Sequence, residues 1–165
     1  MNSFLTSLPL LLPVAHAWAE KQQVIILEQG APLTDCQQDD ARSAGVRHPE
    51  KIRVMRVDML PHPEDEDVMF VAKRIGLFSQ GSVGLTLGYG IYLGFGHWDN
   101  RTVLVHECVH VGQYERLGGL RPFLEVYLRE CIDPGYPFGA LEREAILVTK
   151  ELCKADSQNN DTVAE

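Results

Sequence analysis

The hydrophobic positions change period several times along the chain, and each change marks an element. Residues 4–15 are mostly apolar, and residues 19–29 read as a helix that Gly30 ends. Thr34 is placed to cap a short helix running through Asp39 to Ser43. Residues 52–57 alternate as a strand does, whereas Val68, Val71, Ala72 and Ile75 share one helical face within residues 64–78, ending near Gly76. The glycine-punctuated run 84–94 reads as one or two strands. After it, Val103, Val105 and Val109 supply the apolar side of a helix for which Asp99 or Asn100 is the cap. The turn-rich stretch Asp133-Pro134-Gly135-Tyr136-Pro137-Phe138-Gly139 leads into a last helix that begins Ala140-Leu141-Glu142-Arg143-Glu144-Ala145. Short strands mixed with helices predict an α+β fold, a small twisted sheet packed against the helices that carry His106 and Glu142.

The chemistry is concentrated in His106-Glu107-Cys108-Val109-His110. On a helix the two imidazoles lie one turn apart on the same face, with a carboxylate beside them. Two neutral imidazoles and a third protein ligand would hold Zn²⁺ with one position left for water, whose pKa falls from roughly 15.7 to about 7. Glu107 is then the general base for attack on a carbonyl. Cys108 points elsewhere on the helix and reads as a small core residue. The longer metzincin pattern would want glycine at position 113 and histidine at 116; Gln113 and Arg116 stand there, which rejects it.

The third ligand must come from a segment that folds back, and Glu115, Glu125, Glu130, Glu142 and Glu144 are the candidates. Glu142 opens a second helix reached through a tight turn, which suits delivery of one carboxylate against the histidine helix. Glu130 and Glu144 stay open on sequence alone. Tyr136, in the loop before Glu142, is the candidate donor to an oxyanion, with Tyr89, Tyr92 and His97 as competitors. Of Gln113 and Tyr114, one turn past His110, one is expected to orient a ligand while the other packs. Glycines in 84–94 lack the Lys-Ser/Thr ending of a phosphate loop. They suit tight sheet packing, or an open edge where an extended peptide adds as a strand.

The residues from His106 through Glu115, followed by Gly118-Gly119, Phe123, Tyr127 and Leu141-Glu142-Arg143-Glu144-Ala145, resemble small bacterial zinc peptidases of the gluzincin type. They are more distantly similar to the compact minigluzincins and to the membrane-associated heat-shock and prenyl-protein zinc peptidases. The resemblance covers residues 84–152. It implies a gluzincin-like fold and Glu142, three residues before Ala145, as third ligand. Ile146 stands where those proteins usually have an acidic residue.

With 165 residues and 45% hydrophobic content the chain suffices for one core. The expected organisation is an apolar segment 1–19, a single zinc-metallopeptidase-like domain 20–155 and a frayed tail 156–165. A net charge of −8 disfavours nucleic acid. Arg42, Arg47, Lys51, Arg53 and Arg56 alternate with acids and read as a solvated face. Residues 1–19 carry no charge, and Pro9 and Pro13 interrupt them. They are either a signal peptide or a mature segment docking Leu10, Leu11, Val14 and Trp18 on the domain or on a membrane surface. Cys36, Cys108, Cys131 and Cys153 lack C-x-x-C spacing and suggest reduced thiols in a cytoplasmic protein, with a secreted or periplasmic location if the segment is cleaved. The expected partner is a peptide or protein substrate. A zinc-binding scaffold without turnover is the alternative, and a structural protein without metal is the third reading.

Overall fold

The central strand of the sheet is apolar on both faces, so helices must cover both sides. In β4 (Gly90–Leu93), Ile91 and Leu93 join one core while Tyr92 joins a second core on the opposite face. The computed structural model describes residues 3–78 and 82–159. Within them lie six α-helices and a four-stranded mixed sheet of order β1-β2-β4-β3. β1 (Ala31–Pro32) runs antiparallel to β2 (Arg53–Arg56), β2 parallel to β4, and β3 (Gly84–Leu87) antiparallel to β4. Register pairs Val54 with Ile91 and Thr86 with Ile91, which fixes the faces across three strands.

On one face, Ile91 and Leu93 pack with Leu104, Cys108, Val109 and Val111 of α4 (Arg101–Leu117) and Ala41 of α2 (Asp35–Ser43). α6 (Ala140–Asn159) joins the same core through Ala145 but lies chiefly along α4 rather than on the sheet. On the other face, α1 (Ser3–Gln29) covers Leu87 and Tyr92 with Ala19 and Ile26, beside Leu120 of α5 (Leu120–Glu130). A Cβ on Gly90 would stand 2.8 Å from Ile26 Cδ1, so glycine is what lets α1 lie this close to β4. α3 (Glu66–Arg74) makes the crossover between the parallel strands and packs against α1.

The local signals hold at several ends. Thr34 and Gln37 form a reciprocal capping box at α2, Asp65 caps α3, and Asn100 rather than Asp99 caps α4. All four cysteines are free, and Cys108 is fully buried in the core. Arg42 pairs with Asp39 and Arg56 with Asp99 on the surface.

Three expectations need correction. The N-terminal segment is helical from Ser3 and continuous with residues 19–29, and both prolines lie inside α1. Each interior proline costs about 3 kcal/mol. Buried Leu8, Leu12, Ala19 and Ile26 offset this, at roughly 1.5–3 kcal/mol per large aliphatic side chain. Of the residues expected to dock, Trp18 packs beside Ala19 and Ile26, whereas Leu10 is 78% exposed and Val14 faces solvent, and the buried aliphatic positions are Leu8 and Leu12. Second, α5 is a full helix where no element was read, although Leu120, Phe123, Leu124, Tyr127 and Leu128 repeat at helical spacing and Pro122 sits harmlessly in its first turn. Third, α6 runs through Asn159, past Asp156 where the tail was expected to begin; the rest of the tail lies outside the described residues.

Candidate metal centre

α4 places His106 and His110 on one face, and the Asn100 cap, whose side chain accepts from Val103 N, fixes where that helix begins. The turn after α5 reverses the chain so that the first turn of α6 brings Glu142 to them. Glu130 sets this start by accepting the backbone N–H of Leu141. His106 Nε2 lies 3.2 Å from His110 Nε2 and 3.4 Å from Glu142 Oε2, while His110 Nε2 lies 3.3 Å from Glu142 Oε1. His110 and Glu142 are buried and His106 is partly open. One donor atom from each residue falls within 4.8 Å of the others, a group that can hold a metal ion.

Each member is held from behind. Gln113 is fully buried, and its amide nitrogen donates to the Leu141 carbonyl and to Glu144 Oε2. Its oxygen is therefore the acceptor facing His110 Nδ1 at 2.8 Å. That bond keeps a proton on His110 Nδ1, so Nε2, which faces Glu142, is the nitrogen that would ligate a metal on losing its own proton. Tyr127 of α5 donates its hydroxyl to Glu142 Oε1, and its ring meets that of His110 edge-on. Burial would raise the Glu142 carboxyl, but hydrogen bonds from His106 and His110, the charge of His110 and the Tyr127 hydroxyl overcome this and hold it well below the usual carboxylate range. Burial, with the Glu142 charge next, pushes the Tyr127 hydroxyl well above its ordinary value, so it stays a donor.

Glu107 belongs to this face but not to the ligand group. Thr86 of β3 donates its hydroxyl to Glu107 Oε2 at 2.6 Å, and a Cβ on Gly84 would lie 2.3 Å from Glu107 Oε1. The buried carboxylate is thus pinned against the end strand of the sheet, where only glycine leaves it room. A cavity of about 610 Å³ opens over the group, with Glu107, His106, His110, Glu142 and Tyr136 on its wall. Burial, then the charges of Glu142 and Glu107, push the Tyr136 hydroxyl up to about 12.

The other sequence candidates separate by partner. Glu144 binds Arg116 and Gln113, Glu125 binds Arg129, and Glu115 accepts the N–H groups of Arg47 and His48 and the Tyr89 hydroxyl. Tyr92 donates to Gln22 on the α1 side, and neither Tyr89, Tyr92 nor His97 lines the cavity. Of the pair considered, Gln113 is the one bonded to His110, and Tyr114 packs edge-on against Tyr89. Ile146 lines the cavity, half-exposed, and contacts no ligand by hydrogen bond. Two residues of the site were not anticipated in these roles. Thr86 gives no local signal because its partner is 21 residues away; Tyr127 is among the residues that carry the resemblance, which attaches no role to it, and lies on the unread α5 stripe.

Comparison with protein-family models, curated proteins and solved structures finds no match to the chain. Among the described residues, no helix is long and apolar enough to cross a membrane.

Proposed function

We propose that the protein is a zinc-dependent peptidase of gluzincin-like architecture. The observation that carries this reading is the close-set group His106, His110 and Glu142, with a separately pinned Glu107 on the same cavity wall. The donor set fits zinc. The two imidazole nitrogens are 3.2 Å apart, close to the edge of a tetrahedral site, roughly 3.3–3.4 Å for bonds of roughly 2.0–2.1 Å, and each lies within 3.4 Å of one of the two Glu142 oxygens. A structural zinc site would ordinarily close its fourth position with Cys or His, and no such residue belongs to the group.

When bound, zinc would supply Lewis-acid polarisation of a carbonyl and make water acidic near neutral pH. Glu107 would accept the water proton and return it to the leaving amine, and its bond from Thr86 would keep it aimed. Tyr136, protonated across the physiological range, would donate to the oxyanion. β3 stands at the end of the sheet order and would receive an extended peptide as an added strand. The deciding measurement is digestion of a proteome-derived peptide library by wild type and by Glu107→Gln, each checked for zinc. Products from wild type alone support the peptidase. Identical products from both, or none from either zinc-loaded protein, overturn it, the second result leaving a zinc-binding scaffold.

A further inference from the structure

The cavity over the metal centre is unequal at its two ends. One end is walled by α1, α3, the turn that follows α3, and α5: Trp18, Ala72, Leu77, Phe78, Leu124 and Leu128 line it. None of these side chains offers a hydrogen bond to a ligand except the Trp18 indole. The other end, one turn before His106 on α4 and two turns past Glu142 on α6, carries Thr102, Thr149 and Lys150. The Thr149 hydroxyl is buried there with no hydrogen-bond partner.

The volume of the whole cavity and the polarity of its wall together restrict what it can take. At about 30 Å³ for each water-sized unit, 610 Å³ holds roughly twenty non-hydrogen atoms, well beyond any single amino-acid side chain. The edge of β3 could pair an extended backbone, but a peptide segment reaching past it to the α1, α3 and α5 side would bring N–H and C=O groups against side chains that cannot pair them, each at a cost comparable to a lost hydrogen bond. A linear hydrocarbon chain brings none. A ligand that is aliphatic at one end and polar at the other matches the wall, with its polar end at the triad and the Thr149 and Lys150 side.

We infer that this cavity is a binding site for a long aliphatic chain, on the order of fourteen to eighteen carbons, and that the substrate class is a peptide bearing such an acyl chain. The substrate half of this rests on the proposed hydrolysis; the binding half does not.

Zinc-loaded full chain is titrated with cis-parinaric acid, which is then displaced by palmitate, by shorter saturated fatty acids and by N-acetyl-phenylalaninamide. The same titration in Glu107→Gln separates binding from turnover, so palmitate binding without peptide hydrolysis removes only the peptidase reading. Palmitate should displace the probe at micromolar concentration, and each methylene removed should weaken displacement about fourfold. Ala72→Trp and Ala15→Trp fill the apolar end, Ala72 from its buried wall and Ala15 from the less buried side of α1. Either variant that keeps its circular dichroism and zinc stoichiometry should bind palmitate at least about tenfold more weakly. The inference is overturned if palmitate displaces no better than hexanoate, if N-acetyl-phenylalaninamide matches it, or if a folded Ala15→Trp binds it as tightly as wild type.

Discussion

Gln113 Oε1 sits 2.8 Å from His110 Nδ1, and the amide that places it there spends both remaining donors on α6. One neutral side chain thus sets the tautomer of His110 and ties α4 to α6. Where a carboxylate would add negative charge next to Glu144, the amide satisfies His110, the Leu141 carbonyl and Glu144 at once. Gln113→Leu should lower zinc affinity about 10–100-fold and destabilise the apoprotein by about 1–3 kcal/mol, because buried polar groups lose their partner. Competition against a zinc dye and urea unfolding read the two effects separately. Unchanged zinc affinity in a folded Gln113→Leu would show that His110 needs no partner on Nδ1.

Alkali should weaken the fold in a defined window. Burial raises the hydroxyls of Tyr89, Tyr92 and Tyr114, and for Tyr89 the hydrogen bond to Glu115 and its charge add to this. A tyrosine that holds its proton longer folded than unfolded contributes stability that is complete below its ordinary value of about 10. That contribution is lost as pH climbs past 10, where the unfolded chain ionises first. The urea midpoint is therefore expected to fall between about pH 9 and pH 11. Tyr89→Phe should make that fall shallower, and an equal slope in the variant would remove Tyr89 from the account.

Glu142, rather than Glu144 or Glu130, should control metal binding. Its two oxygens lie 3.3 and 3.4 Å from the two imidazole nitrogens, whereas Glu144 is engaged by Arg116 and Gln113 and Glu130 by the Leu141 N–H. Glu142→Ala should abolish stoichiometric zinc binding under conditions where Glu130→Ala keeps it. Glu144→Ala should lie between, since it frees one donor of Gln113 without removing a ligand. Wild-type zinc affinity in Glu142→Ala would reassign the third ligand.

How much of this was readable depended on whether a residue's partner was local. His106 and His110 declare themselves through helical spacing, Thr34 and Asn100 through capping, and β3 and β4 through glycine-punctuated apolar runs, all within a few residues. Glu142 could be ranked but not fixed, because several carboxylates share its chemistry and only the turn geometry separates them. Thr86 and Tyr127 act through bonds to distant elements, which periodicity does not encode. α1 was obscured for the opposite reason. Pro9 and Pro13 are strong local signals against a helix, and tertiary burial of Leu8 and Leu12 outweighs them.

Thr86 and Gly84 give the sharpest test of how Glu107 is held, because both act on its carboxylate from β3 without belonging to the metal group. Thr86→Val keeps the shape of the side chain and deletes the donor, so Glu107 loses a charge-assisted bond in a buried place. Gly84→Ala instead adds a methyl that would lie 2.3 Å from Glu107 Oε1, forcing the carboxylate or the strand to move. Both variants should keep zinc near wild-type stoichiometry. Peptide turnover should fall at least about tenfold in each, since a base displaced by a fraction of an ångström loses proton-transfer alignment. Thr86→Ser, which restores the hydroxyl, should recover most of the rate, and that recovery distinguishes positioning of Glu107 from general damage to the strand. If Thr86→Val turns over peptides as fast as wild type, the bond from Thr86 is structural only, and Glu107 is aimed by the helix that carries it.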